Sequence, residues 1–160
     1  MVMVSSHLQR SFKTSASKTE VLELLSKIEE SAKHMPNVER VEPGPEENSF
    51  KWTLEKLGAG PISLQVWYCS LYNVDENAQR ISWEPVDDLG NSFARGAWTI
   101  GERDGKTFVE LDSEFGAQMP VPRLMRGAAE KVLDREYNRV LDNYTGNLKK
   151  TLDGGDGRLR

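Results

Sequence analysis

The sequence predicts an α+β domain in which a curved antiparallel sheet is covered by one long C-terminal helix. Three observations predict it: a strand and a capped helix open the chain, six β-rich runs follow, and a helical period returns after residue 120. Consecutive strands joined by short turns pair antiparallel. The buried face of such a sheet needs cover, which the last helix supplies.

The chain opens with a strand and an amphipathic helix. From Val4 to Phe12 the residues fall into two alternating sets, one of which contains Val4, Leu8 and Phe12, and helix-forming Ala, Glu and Lys are missing, which indicates a strand. The motif S-K-T-E at residues 17–20 is a capping box, in which a hydroxyl and a carboxylate satisfy the free N–H groups of a helix start. Apolar residues then recur about every 3.6 positions as far as Met35. We therefore expect one helix from Ser17 to Met35.

The middle of the chain reads as strands separated by turn residues. Asp104-Gly105 is the sharpest of these turns, because the pair readily takes the positive φ values of a tight hairpin. The predicted strands are Val38–Glu42, Ser49–Leu57, Pro61–Val74, Gln79–Pro85, Ser92–Glu102 and Lys106–Phe115.

The final helix is long. Its apolar residues keep a helical spacing from about Pro122 to Leu152, which gives a length of roughly 45 Å. A helix of that length crosses a whole small domain. The glycine-rich end of the sequence predicts a disordered tail at residues 153–160, so the folded domain is expected over residues 1–152.

Charge and apolar patterning exclude several functions. Lys and Arg number 21 against 25 for Asp and Glu, and no basic run is dense enough for a nucleic-acid backbone. The longest near-apolar stretch, Ile62 to Tyr72, is too short for a membrane span. The first residues do not resemble a signal peptide, and the single Cys69 excludes an internal disulfide. A cytoplasmic protein that is not integral to the membrane is expected.

Alternation along the strands predicts which side chains face inward. In the last strand Leu111, Ser113 and Phe115 oppose three acidic residues, so the acidic side faces water. Applied to the other strands, the same test predicts an inward set rich in Trp and Tyr, which forms either a dry core or the walls of a ligand cavity. Besides those of the last strand, the main inward residues are Trp52, Leu54, Leu64, Val66, Tyr68, Ser70, Tyr72, Ile81, Trp83, Gly96, Trp98 and Ile100.

Three segments carry a family resemblance. They are K-H-M-P-N-V-E-R-V at residues 33–41, R-I-S-W at residues 80–83 and R-G-A-W-T-I at residues 95–100. With the order of elements, they resemble the polyketide cyclase/dehydrase branch of the START-like (SRPBCC, birch-pollen-allergen-like) superfamily from about Val4 to Leu152. The resemblance implies a single helix-grip domain, a curved antiparallel sheet of about seven strands wrapped around the long C-terminal helix.

The resemblance also implies a ligand between sheet and helix. Members bind hydrophobic or amphipathic molecules such as polyketides, sterols, lipids and isoprenoid quinones. A pocket of about 300 to 1,000 Å³ would suit such a molecule, and a methionine at its wall would adapt to the guest. The candidate ligand-binding residues are Trp52, Leu54, Val66, Tyr68, Tyr72, Trp83, Trp98, Leu111, Phe115, Met125 and Ala129.

Catalysis is an open alternative. A polyketide cyclase or dehydratase needs a proton donor in an apolar pocket, and Tyr68 or Tyr72 could act as the general acid while Arg126 stabilises an enolate. Alternatively both phenol rings belong to the core, with their hydroxyls bonded to backbone. His7, His34 and Cys69 have no metal-ligand spacing, so no metal and no other cofactor is expected.

A protein-interaction or chaperone module without a ligand is the third alternative. Trp67 alternates onto the outer face of the sheet, where the first helix, a homodimer partner or transient membrane contact could cover it. Coverage by the apolar stripe of the first helix is the simplest expectation. The expected partner is a hydrophobic small molecule, with a homodimer as a further possibility.

Overall fold

A computed structural model describes residues 1–159 of the chain, without the side chains at positions 57–59, 62 and 88. The chain forms one seven-stranded sheet and three α-helices within this range. A 3₁₀ turn at Arg123–Met125 leads into the last helix. The elements are β1 Val2–Thr14, α1 Lys18–Ser26, α2 Ile28–Ala32, β2 Val38–Pro43, β3 Ser49–Ala59, β4 Ile62–Asp75, β5 Arg80–Gly90, β6 Ser92–Arg103, β7 Lys106–Met119 and α3 Arg126–Leu152.

The sheet is antiparallel throughout, with the order β1-β7-β6-β5-β4-β3-β2. Only β1 lies beside a strand distant in sequence, and it pairs with β7 from Val2↔Met119 to Thr14↔Thr107. Register shifts interrupt the pairing of β2 with β3, β3 with β4 and β4 with β5. Such irregularities bend and twist strands, and the sheet curves around α3. The predicted helix-grip arrangement is therefore confirmed.

The predicted first helix is two helices. Its start is as expected, since Ser17 Oγ accepts a hydrogen bond from Glu20 N at 3.1 Å and the capping box is complete. The helix breaks at Lys27, whose φ of −86° and ψ of 87° are not helical. The Ser26 hydroxyl donates to the Glu23 carbonyl oxygen just before the break, and this local bond competes with the helical pattern. The prediction of a single helix to Met35 is thus wrong.

Helix α3 lies across the concave face of the sheet. Its buried residues include Leu133, Leu141 and Leu148, which pack in the core. Ser6 Oγ of β1 donates to Asp134 at 2.7 Å, and this bond fixes the helix against the sheet edge. Its end at Leu152 matches the prediction, while the expected start near Pro122 is replaced by the 3₁₀ turn. No described helix is both long and apolar enough to span a bilayer.

The residues after α3 contact the rest of the domain. The Asp153 carboxylate accepts hydrogen bonds from Thr14 Oγ1 at 2.6 Å and Ser15 N at 3.0 Å. Farther along, Leu159 N donates to the Lys33 carbonyl oxygen at 2.7 Å. These bonds join residues 153–159, where we expected a disordered tail, to β1 and to the end of α2. The tail prediction also includes Arg160, which lies outside the described residues.

Trp67 lies on the outer face of the sheet, as alternation predicts, but α1 does not cover it. Leu25 of α1 and Ile28 of α2 instead pack on the inner side, next to α3. The half-buried Trp67 ring has Lys51 Nζ 4.9 Å from its centroid. The expectation that the first helix covers this residue is therefore wrong, and the lysine of the neighbouring strand provides part of the cover.

Candidate functional site

A cavity of about 110 Å³ lies between the concave face of the sheet, α1–α2 and α3. The sheet provides most of its wall, because every second residue of a strand points to the same face. Leu25, Ile28 and Ser31 close one side, and Leu133, Tyr137 and Tyr144 of α3 close another. The cavity is below the size expected from the sequence, because its aromatic side chains occupy much of the interior.

The candidate ligand-binding residues of the strands all line this cavity. Alternation predicted their inward orientation correctly. The register shifts in the sheet do not turn any of these side chains to the outer face. The residues in question are Trp52, Leu54, Val66, Tyr68, Tyr72, Trp83, Trp98, Leu111 and Phe115.

Three predicted residues do not line the cavity. Met125 lies in the 3₁₀ turn with 37% of its surface exposed. Arg126 points into solvent, where its Nε is 3.0 Å from Glu130 Oε1. Ala129 is buried but does not border the cavity. These placements are corrected because α3 first borders the cavity at Leu133, about one to two turns beyond the residues that we expected there.

Two tyrosines of α3 reach the cavity, and we did not single them out from the sequence. The Tyr144 hydroxyl hydrogen-bonds to Ser31 Oγ at 2.5 Å, and the Tyr137 hydroxyl hydrogen-bonds to Ser113 Oγ. Burial raises the pKa of Tyr144 to about 12 and also raises that of Tyr137. Both residues lie on the apolar stripe of α3, which was the available signal. Each of these hydroxyls thus already has a hydrogen-bond partner within the protein.

The hydroxyls of Tyr68 and Tyr72 differ from those of the two α3 tyrosines in their hydrogen bonding. The Tyr68 hydroxyl forms no hydrogen bond with a described residue, although the side chain is buried. Burial raises the pKa of Tyr68 far above its ordinary value. Burial likewise raises the pKa of Tyr72, and an interaction with the Trp52 indole offsets only part of the rise. Both phenols therefore remain protonated donors, and neither is bonded to backbone as the core interpretation required.

The Trp52 indole N–H is a third donor that lacks a hydrogen bond of normal geometry. Its Nε1 is buried and makes no hydrogen bond of normal geometry among the described residues, although the Tyr72 hydroxyl is near enough to interact with it. The Trp52 ring stacks on Tyr68 at a centroid distance of 6.0 Å and an interplanar angle of 10°. The indole and two phenols thus form a donor group, Trp52, Tyr68 and Tyr72, on one part of the wall.

The aromatic rings contact one another along the wall. Tyr68 meets Phe115 edge to face at 5.8 Å, and Phe115 meets Tyr137 at 5.6 Å. On another side Trp98 contacts Tyr144 at 6.0 Å. Such pairs fix the rings against the sheet and helix, leaving apolar space between them.

Polar and charged residues border one edge of the cavity. Asn37 at the α2–β2 corner, Glu55 and Lys56 near the end of β3, and Glu136 of α3 belong to this edge. Glu55 N donates to the Asn37 carbonyl oxygen at 2.8 Å, which joins the corner to β3. The exposed charges of Glu55 and Lys56 mark the side at which the cavity approaches solvent.

The described residues offer phenol, indole and hydroxyl groups rather than a metal site. No group of three His, Cys, Asp or Glu side chains converges among them. Cys69 is buried beside Ser49, and burial raises the pKa of its thiol. The inner wall of the cavity thus offers hydrogen-bonding groups in an apolar environment, and charged side chains lie at its edge.

Comparisons with known proteins agree with this architecture. A Streptomyces aromatase/cyclase, Zhui, superposes with a TM-score of 0.67 at 18% identity, over 94% of this chain and 99% of that chain. A START superfamily protein from Mycobacterium smegmatis superposes with a TM-score of 0.63 at 14% identity, over 91% of this chain and 98% of that chain. A norcoclaurine synthase point mutant from Thalictrum flavum superposes with a TM-score of 0.58 at 11% identity, over 95% of this chain and 96% of that chain. No curated protein matches the chain.

The sheet that grips one long helix over an apolar cavity defines a START-like helix-grip protein. A family model described as "Polyketide cyclase / dehydrase and lipid transport" matches residues 5–149. The chain belongs to this family. The resemblance noted in the sequence is therefore confirmed, and a role in binding hydrophobic ligands or processing polyketides is supported.

Proposed function

We propose that the protein binds a neutral hydrophobic or amphipathic molecule that carries an acceptor oxygen, within the cavity between the sheet and α3. The observation that carries this proposal is the donor group of Trp52, Tyr68 and Tyr72. Trp52 Nε1 is buried without a hydrogen bond of normal geometry, and neither phenol hydroxyl makes such a bond with a described residue. A carbonyl or ether oxygen on a ligand would provide the missing acceptor. The family's description, which includes polyketides and lipids, supports a ligand of this kind.

The energetics favour such a ligand over a pure hydrocarbon. A buried donor left without an acceptor costs about 1–3 kcal/mol, and a ligand oxygen would recover much of that. Apolar contact with the surrounding rings would add about 25 cal/mol for each Å² removed from water, before ordering costs. Hydrophobic burial would thus provide affinity, and the donor group would select molecules with an acceptor.

The size of the cavity sets a condition on binding. An apolar cavity of about 150 Å³ holds one benzene ring, so the volume of about 110 Å³ is at most that of a single small ring. A ligand with several rings therefore requires side chains to move. The aromatic pairs that cross from the sheet to α3, such as Phe115 with Tyr137, are the contacts that would separate.

Binding accounts for the site better than proton transfer does. A general acid works best when its pKa lies near the operating pH, whereas burial moves the pKa of Tyr68 and Tyr72 upward. Arg126 is paired with Glu130 outside the cavity and does not reach an enolate there. The possible polyketide cyclase or dehydratase activity, the cytoplasmic location and a homodimer stay predictions from the sequence.

Equilibrium dialysis with a matched pair of probes tests the proposal. Fluorenone and fluorene share a tricyclic skeleton, but only fluorenone carries a carbonyl oxygen. We expect the wild-type protein to bind fluorenone more tightly than fluorene. The double variant Y68F/Y72F should lose about fivefold or more in affinity for fluorenone, as the net value of a hydrogen bond implies. Its affinity for fluorene should not fall.

The Y137F variant is the matched control, because the Tyr137 hydroxyl is already bonded to Ser113. Its preference for fluorenone over fluorene should equal that of the wild type. Equal affinity of the wild type for both probes, or equal loss in Y137F and in Y68F/Y72F, would show that the donor group does not select the ligand. Failure to bind either probe would reject the cavity as a site for flat apolar molecules.

A further inference from the structure

The segment between β7 and α3 carries an exposed apolar pair. Leu124 is 99% exposed and Met125 is 37% exposed. Leu124 is thus almost as accessible as in an extended peptide, and it is the most exposed of the large hydrophobic residues that the structure describes. Both residues lie in the 3₁₀ turn, outside the cavity and its lining.

The protein holds this segment in place. Met119 and Val121, just before it, are buried in the core. Val121 N donates to the Met119 carbonyl oxygen at 2.9 Å, and Met125 N donates to the Pro122 carbonyl oxygen at 2.9 Å. Prolines at positions 120 and 122 further restrict the backbone. The exposure of Leu124 is therefore a feature of an anchored turn.

The charge around the apolar pair is positive. Residues 122–129 contain Arg123 and Arg126 and no acidic residue, which gives a local charge of +2 in a chain whose net charge is −4. Glu130 one turn later pairs with Arg126, while Arg123 has no ion pair with a described residue. An apolar side chain flanked by arginines is complementary to an anionic lipid surface, in which the leucine enters the acyl region and the arginines meet headgroups.

We propose that residues 123–126 dock the protein reversibly on anionic lipid bilayers. One leucine and one methionine provide far less area than the about 1,200 Å² or more that a stable protein interface buries, which favours a membrane over a second copy of the chain. Strands β7 and β3 run in the same direction in the antiparallel sheet, so their C-terminal ends lie at the same end of it. Residues 123–126 follow the end of β7, and the cavity edge at Glu55 and Lys56 lies near the end of β3. Docking would thus bring the cavity edge toward the lipid.

Vesicle flotation with the whole chain tests this proposal. The probes are phosphatidylcholine vesicles with and without phosphatidylserine, and the variants are L124Q and R123Q/R126Q. All three positions are exposed, so the variants should fold, and thermal melting verifies this. The wild type should bind vesicles that contain phosphatidylserine and should be released by salt. Each variant should bind about tenfold more weakly or worse.

The L159Q variant is the control, because Leu159 is also an exposed leucine but lies beyond the other end of α3. Its vesicle binding should equal that of the wild type. Absence of wild-type binding to both vesicle types, or unchanged binding in L124Q, would overturn the proposal. Sedimentation that shows a dimer lost in L124Q would assign the segment to a second copy and would also overturn it. These outcomes do not depend on the cavity.

Discussion

At the scale of single residues, the cavity separates two kinds of tyrosine. Tyr137 and Tyr144 have hydroxyls bonded to serines, and they act as part of the wall. Tyr68 is buried and Tyr72 is partly buried, yet their hydroxyls have no comparable partner. A buried donor without an acceptor lowers stability, so its presence in a folded protein requires an explanation. Recognition of a ligand oxygen is the explanation that the surrounding apolar rings favour.

The protonation of these phenols leads to a prediction about pH. Because burial raises the pKa of Tyr68 and Tyr72, both hydroxyls stay protonated beyond the ordinary tyrosine value of about 10. Fluorenone affinity should therefore be constant from neutral pH up to about pH 10, as measured by equilibrium dialysis. Fluorene, which has no acceptor, is the control for general effects of pH on the fold. A fall in fluorenone affinity centred below pH 9 would mean that an ordinary, accessible phenol is involved.

Sequence alone could place the phenol rings but not the state of their hydroxyls. Alternation along β4 put Tyr68 and Tyr72 on the inner face. The serine that engages Tyr144 is 113 positions away in sequence, and no local pattern reveals that contact. Hydrogen-bond pairing in a cavity depends on how separate elements are assembled, so the donor group became visible only in the structure.

At the scale of elements, Gly96 shows how closely β6 and β7 approach. A Cβ at this position would fall against the Asp112 carbonyl oxygen and 2.9 Å from Ser113 Cα. Backbone atoms cannot move aside as a flexible side chain can. We predict that G96A lowers the free energy of unfolding by about 1–3 kcal/mol, measured by urea denaturation.

Gly101 provides the control within the same strand, since a Cβ there would meet nothing within 4 Å. The G101A variant should change the free energy of unfolding by no more than about 0.5 kcal/mol. Equal effects of G96A and G101A would show that strand propensity, rather than contact with β7, determines the result.

The end of α3 yields a prediction about acid stability. Lys149 Nζ lies 2.6 Å from the Asp153 carboxylate, and with the bonds from Thr14 and Ser15 it holds the pKa of Asp153 well below its usual value. A depressed pKa in the fold stabilises the protein above the unfolded pKa of about 3.9, and this contribution is lost as pH falls toward the folded value.

The D153N variant should accordingly melt at a lower temperature than the wild type at pH 7, and the difference should shrink below about pH 4. D87N, at an exposed position of β5, is the control and should show no such dependence on pH. A constant difference between D153N and the wild type across this range would indicate that the carboxylate charge is not what joins α3 to β1.

The strands were more predictable than the helices. Alternation and turn residues predicted all seven strands, although β5 and β7 extend beyond Pro85 and Phe115. β7 continues because β1 pairs with it as far as Met119, a partner that the local sequence does not show. The break at Lys27 was missed because the apolar spacing continues through it, so periodicity alone could not separate α1 from α2.

At the scale of the whole molecule, the cavity exists where α3 and the curved sheet separate. The helix is fixed to β1 along its length, by Ser6 with Asp134, by Arg10 with Asp142 and by Thr14 with Asp153. Between these attachments, Tyr137 and Tyr144 meet the rings of the sheet across the cavity. Which turn of a long helix crosses the cavity depends on these distant attachments, and this explains why Met125 and Ala129 were wrongly placed there.

A crystal structure of the protein with fluorenone tests the central claim most directly. The account predicts electron density for the tricycle between the sheet and α3, with its carbonyl oxygen within hydrogen-bond distance of the Tyr68 hydroxyl, the Tyr72 hydroxyl or Trp52 Nε1. The aromatic pairs between the sheet and α3 should be displaced to make room. Density only on the outer surface, or a ring in the cavity with its carbonyl turned away from all three donors, would contradict the account.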